Sequence, residues 1–137
     1  MVQTYSHQYH IVWIPKYRTR VLKGELKTYL AKQLFEIHQD HPEVEIEKFN
    51  IQIDHVQLVS VVPPKYSVSS VVGKIKANTS RRIRVDLPWI KKLYWGNEIW
   101  LPGFFSSTVE INEKIIKKFV EFQENVDMGK MQLDFGF

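Results

Sequence analysis

The run Val56-Gln57-Leu58-Val59-Ser60-Val61-Val62 constrains this 137-residue chain more than any other segment. It is nearly continuous in apolar residues, so it reads as a strand covered on both faces. Pro63-Pro64 ends it, because proline cannot donate to a sheet ladder. Just upstream, Val44-Glu45-Ile46-Glu47-Lys48 and Phe49-Asn50-Ile51-Gln52-Ile53 both alternate, but in different phase. The slip near Lys48-Phe49 predicts a β-bulge, and Asp54-His55 reads as a tight turn.

Other elements follow from periodicity. Gln8–Ile14 is rich in β-branched and aromatic residues and stops at Pro15, so a first strand is expected. From Gly24 to about Gln39, Leu26, Leu30, Leu34 and Ile37 recur at helical spacing, with Tyr29 and Phe35 alongside. Ser67 caps a second helix lined by Val68, Val71, Val72, Ile75, Thr79 and Ile83 and ended by Leu87-Pro88. Two short strands are expected at Glu98–Leu101 and Phe104–Thr108. Asn112 caps a last helix to about Glu124, with Ile115, Ile116, Phe119 and Phe122 as its apolar side. The order β-α-β-β-α-β-β-α predicts an α+β sandwich, an antiparallel sheet flanked by helices. One domain over residues 1–126 and a C-terminal tail over 127–137 are expected.

The composition, 44% hydrophobic and 25% charged, suits a globular protein. The absence of cysteine excludes disulfides and thiolate metal sites. No signal peptide and no membrane span are read, so a cytoplasmic protein without membrane contact is expected. The net charge is +4, unevenly spread. Between Val61 and Trp100, eight basic residues face only Asp86 and Glu98. Lys16, Arg18, Arg20 and Lys23 add an N-terminal basic stretch without acids. Such a face suits a polyanion. The expected nucleic-acid contacts are Lys16, Arg18, Arg20, Lys65, Lys74, Lys76, Arg81 and Arg84, the helix lysines being read as solvated. Tyr17 and Tyr66 are candidates to stack on exposed bases.

Two constellations suggest chemistry. His55 and Gln57 are two apart in a strand and share a face. Phe119 and Gln123 are four apart on a helix and share a face. Two imidazoles at the strand spacing would hold a divalent ion, and a tyrosine on the helix could attack a phosphate that the ion polarises. Here the second strand position is an amide and the helix position a phenyl ring. Taken alone, a His-x-Gln in a strand, a Phe at helical spacing and a surface Gln are also ordinary structural residues.

The chain resembles the insertion-sequence-200-like single-tyrosine HUH transposases along residues 9–123. Tyr9-His10-Ile11-Val12-Trp13-Ile14-Pro15-Lys16-Tyr17-Arg18 looks like the family's first strand and basic loop. Asp54-His55-Val56-Gln57-Leu58-Val59 looks like its Asp-His-hydrophobic-His-Leu motif. Pro63-Pro64-Lys65-Tyr66-Ser67 and Gly73-Lys74-Ile75-Lys76 follow in order. Ile99–Val109 resembles its Trp-x-x-x-Tyr-Phe-hydrophobic-x-Thr segment, and Lys118-Phe119-Val120-Glu121-Phe122-Gln123 its Lys-Tyr-Ile-x-x-Gln.

The resemblance implies a ferredoxin-like sandwich, an intertwined homodimer and binding of hairpin single-stranded DNA. It also implies strand cleavage through a 5′-phosphotyrosine with magnesium or manganese. By the same resemblance His55, Gln57 and Gln123 occupy the metal-ligand positions and Phe119 that of the nucleophile. Phe119 removes the nucleophile, Gln57 replaces an imidazole by a weaker donor, and Glu110 stands where the family has a hinge glycine. The ion is therefore expected to bind weakly or not at all. Binding without cleavage is the first reading, since phosphate contacts need only charge and geometry. An active atypical enzyme using Tyr94 or Tyr66, and a non-enzymatic RNA-hairpin binder or regulator, are the alternatives.

Overall fold

The computed structural model describes residues 7–16, 20–94 and 99–127, the side chains to Gln123. Four strands form one antiparallel sheet in the order β2-β3-β1-β4. They are β1 (His7–Trp13), β2 (Glu45–Gln52), β3 (His55–Val62) and β4 (Phe105–Ser107). Three helices, α1 (Gly24–Asp40), α2 (Val68–Asp86) and α3 (Glu113–Asp127), cover it. The α+β expectation holds.

β1 and β3 pair from His7↔Val62 to Trp13↔Val56. The pleat then sorts their side chains. Ile11, Trp13, Val56, Leu58 and Val62 join Leu26, Leu30 and Leu34 of α1 and Val71, Val72, Ile75 and Ile83 of α2 in the larger core. Val12 turns the other way and joins Ile111, Ile116 and Val120 under α3. β3 is thus fully covered on its α1/α2 face. On the α3 face Val59 is buried, but Gln57 and Val61 are only partly so.

The bulge lies slightly upstream of the expected place. The β2–β3 register shifts between Ile46 and Lys48, so Glu47 is the extra residue. That lets Ile46 and Phe49, three apart, both pack on the larger core. The chain turns at Ile53-Asp54, and His55 opens β3.

The strand expected at Glu98–Leu101 is not seen. Glu98 lies outside the described residues, and Trp100 makes one isolated bridge, to Pro15. Pro15 is itself the bridge partner of Trp100, and Pro102, which cannot donate to a ladder, follows two residues on. The segment is instead held by Lys16 N–H donating to Ile99 O at 2.9 Å and Leu101 N–H to Ile14 O at 3.0 Å. Trp100 stacks edge-on to Trp13 at 5.8 Å and donates its indole N–H to the Thr79 hydroxyl at 2.9 Å. The other late strand is shorter than expected, Phe105–Ser107. The tail reading at Met128–Phe137 falls outside the described residues.

Helix boundaries follow the caps. Ser67 Oγ accepts from Ser70 N–H at 3.0 Å, and Asn112 Oδ1 from Ile115 N–H at 2.9 Å. Leu87 ends α2, and Pro88 opens a 3-10 turn to Lys92. α1 and α2 are laced by Arg82, which donates to Gln33 Oε1 at 2.9 Å and pairs with Asp40. Tyr29 donates to Asp86, and burial, with that bond, pushes its hydroxyl up to about 12. α3 rotates away from its expected face: Ile116 and Val120 are buried, whereas Ile115 and Phe122 are exposed. On α1, Phe35 is exposed.

Thr79→Val keeps the shape of the buried side chain and strands the Trp100 indole N–H. A loss of about 1–3 kcal/mol is expected, the cost of a buried unpaired donor. Urea unfolding should show a lower midpoint at an unchanged slope.

Candidate nucleic-acid interface

A cavity of about 520 Å³ lies between the sheet and α3. β3 supplies His55 and Gln57, and β2 supplies Asn50 and Gln52 across the ladder, where Asn50 pairs with Gln57 and Gln52 with His55. Asp54 Oδ1 sits 2.8 Å from His55 Nδ1. That contact fixes the ring and leaves Nε2 as the uncommitted nitrogen. Leu22, buried, donates its N–H to Ile53 O at 3.2 Å and so sets Arg20 at the cavity beside the turn.

α3 presents a row of Glu113, Lys117 and Glu121 to this cavity, with Ile116 and Val120 beside them. The three polar residues recur every four positions, a pattern visible in the sequence but not used there. Phe119 and Gln123 lie on a neighbouring stripe that does not line the cavity. The Phe119 ring packs on Phe105 at 5.8 Å between centroids. Gln123 stands beside Gly103, its Oε1 3.6 Å from where a Cβ there would be. Gly103 has φ +98, a conformation that suits glycine. The fold therefore brings His55 and Gln57 together and sets Gln123 and Phe119 apart from them.

The donor set does not fit a resident divalent ion in this arrangement. The strands offer one imidazole and neutral amides, Asp54 is committed to His55, and the carboxylates of Glu113 and Glu121 belong to the facing helix. Among the described residues, no three of His, Cys, Asp and Glu are grouped to hold such an ion. A hard cation prefers several charged oxygens.

The basic residues divide between two faces. A cleft of about 770 Å³ runs along α2, bordered by Lys74, Lys76, Arg81 and Arg84, with His41, Trp100 and Pro102 at its walls. Lys74 pairs with Glu43, and its Nζ lies 5.6 Å from the Tyr66 ring centroid. The hydrogen bond from Lys74 holds the Glu43 carboxyl below its ordinary range. Lys65 lies 5.3 Å from the same ring. Arg81 is exposed, Arg84 half-buried. Lys76 departs from expectation, because it is not simply solvated. Its Nζ donates to Leu101 O at 2.9 Å and Gly103 O at 3.0 Å, tying α2 to the segment before β4. Arg20 belongs to the α3 cavity and to an adjoining hollow with Lys23, Trp89 and Leu93. Lys16 is half-buried at the Ile99 crossing, and Arg18 and Tyr17 lie outside the described residues.

Known proteins are similar to this chain in sequence and fold. The family profile described as "Transposase IS200 like" matches residues 3–123. The ISDra2 transposase TnpA of Deinococcus radiodurans is 31% identical over 122 residues, 88% of this chain and 86% of that protein. The transposase for insertion sequence element IS200 of Salmonella typhimurium is 29% identical over 130 residues, 95% and 85% respectively. A crystal structure from Deinococcus radiodurans R1, assigned to a transposase, superposes with a TM-score of 0.77 at 25% identity, covering 90% of this chain and 95% of that one. A REP-associated tyrosine transposase bound to a REP hairpin shares the fold at a TM-score of 0.51 and 17% identity, over 95% of this chain and 74% of that one.

Lys76→Met should lower stability by about 1–2 kcal/mol, because two carbonyls lose a charged donor at a half-exposed position. Lys74→Met, which breaks a part-buried pair with Glu43 and a cation–π contact with Tyr66 but strands no backbone carbonyl, should cost about 1 kcal/mol or less. Thermal unfolding of the two variants side by side checks the contrast.

Proposed function

Because this chain belongs to the IS200-like transposase family, we propose that it binds hairpin single-stranded DNA and does not cleave it. The observation that carries this reading is Phe119. By the motif resemblance it takes the place of the family's nucleophile; it has no oxygen and is packed on Phe105. The other described tyrosines give no substitute at the cavity. Tyr94 is 2% exposed within the α1/α2 core. Tyr66 borders that core beside Lys65 and Lys74. Tyr29 is bonded to Asp86 with its acidity suppressed. None of the described tyrosines lines the cavity with His55.

The α2 cleft supplies the phosphate contacts in this reading, through Lys74, Arg81 and Arg84, with Lys65 at its approach. Lys76 serves the fold first. His55, Gln57 and Gln123 remain the residues that would hold magnesium or manganese, were α3 to bring Gln123 across. In the arrangement seen, His55 and Gln57 can only offer hydrogen bonds to whatever enters the cavity. The working form is a homodimer, in which a second copy covers the exposed Ile115 and Phe122 of α3. No helix among the described residues is long and apolar enough to cross a membrane, and the proposed site of action is cytoplasmic.

A stem-loop library drawn from genomic single strands, incubated with manganese, tests binding and chemistry together. Retained stem-loops without a denaturation-resistant adduct are expected. An adduct mapping to any tyrosine would overturn the inactive reading and favour an atypical enzyme. Phe119→Tyr alone should stay inactive, and pairing it with Gln57→His is the fair trial of revival. Binding should weaken steeply with salt, each single-strand phosphate contact contributing a slope of about −0.7. Lys74→Ala with Arg81→Ala should flatten that slope by roughly one to two units for all stem-loops alike. Equal or tighter binding of the same stem-loops made as RNA would move the assignment to an RNA-hairpin binder.

Analytical ultracentrifugation should show a dimer, and Phe122→Lys should shift it towards monomer. A wild-type chain that stays monomeric at assay concentrations would sink the dimer.

A further inference from the structure

We infer that the cavity under α3 is a pocket for one unpaired nucleobase, with adenine favoured over thymine. The inference rests on the DNA-binding reading and assigns the cavity that reading leaves without chemistry.

Three neutral amides meet on one sheet face. Asn50 stands opposite Gln57, and Gln52 opposite His55. Gln52 Nε2 donates to Asn50 Oδ1 at 2.9 Å, which orients the Asn50 amide and leaves its N–H groups for a ligand. Gln57 carries both a donor and an acceptor. A side-chain amide matches the adjacent donor and acceptor of adenine in a bidentate pair. Ile116 and Val120 give the apolar surface that the flat face of a base needs. Glu113 and Glu121, also on the cavity, accept from an exocyclic amino group, which adenine has and thymine lacks. Asp54, Glu113 and Glu121 outnumber Arg20 and Lys117 on the cavity lining, so the interior favours a neutral base over a phosphate. Arg20 is placed to receive the DNA backbone, because it borders both this cavity and the neighbouring hollow with Lys23 and Trp89. Trp89 is exposed there and offers a stacking surface for the next base. A volume of about 520 Å³ accommodates a base with its sugar.

The test uses the full chain and fluorescence anisotropy with short single-stranded oligo(dA), oligo(dT) and an abasic oligomer of equal length. Oligo(dA) should bind about tenfold more tightly than the other two, the scale of one bidentate contact. Gln57→Ala should erase the preference. Gln57→Glu, which keeps the side-chain size, should erase it as well and guards against a folding artefact. Arg81→Ala should weaken all oligomers together and leave the ratio unchanged. Equal affinity for the three oligomers, with stem-loop binding retained, would overturn the base pocket alone. A preference for oligo(dA) that survives both Gln57 variants would also overturn it. Failure to bind any DNA would overturn the pocket together with the DNA-binding reading.

Discussion

Everything in this molecule depends on the register of β1 against β3. Pairing Ile11 with Leu58 and Trp13 with Val56 sends four large side chains into the core under α1 and α2. The same pairing sets Val12 opposite Gln57 and sends both to the α3 side. A slip of one residue would exchange the two faces, placing Gln57 in the larger core and Leu58 under α3. A buried amide without partners is costly, so the register that packs the core also fixes where the cavity lies.

The helices and the paired strands were legible because their signals are local. Periodicity placed α1 and α2, and Ser67 and Asn112 act as the caps their positions suggested. The bulge was visible as a phase slip, but its position was not, since several residues around Glu47 could have been the extra one. The fifth strand was overread because Trp100 and its neighbours have strand-forming side chains. What decides that segment is long-range: the single bridge to Pro15 and the Trp100 bond to Thr79.

The site was legible as pairs and not as an assembly. Strand alternation correctly put His55 and Gln57 on one face. Helical spacing correctly put Phe119 with Gln123, but could not say which stripe of α3 turns to the sheet. Ile116 and Val120 win that contest, so the polar row beside them reaches the cavity. Lys76 shows the same limit. Its sequence context reads as a solvated cation, and only the fold brings the carbonyls of Leu101 and Gly103 within its reach. The basic cleft and the amide cavity share no lining residue. Loss of a reactive group in one therefore leaves the electrostatics of the other intact, because surface charges act over only about 10 Å at moderate salt.

The sheet order has a consequence for biosynthesis. β1 emerges from the ribosome early, yet it lies inside the finished sheet, and its partner on one side is β3, on the other β4. Until Val56–Val62 has been translated, Ile11, Val12 and Trp13 have neither a ladder nor a covering helix pair. The β2–β3 hairpin closes over a short turn and so forms fast, whereas joining β1 to it closes a long loop across α1. The nascent chain thus carries an unpaired apolar strand for much of its synthesis, a state prone to association. Docking of β1 onto a ready hairpin is the step on which the yield of folded protein should turn.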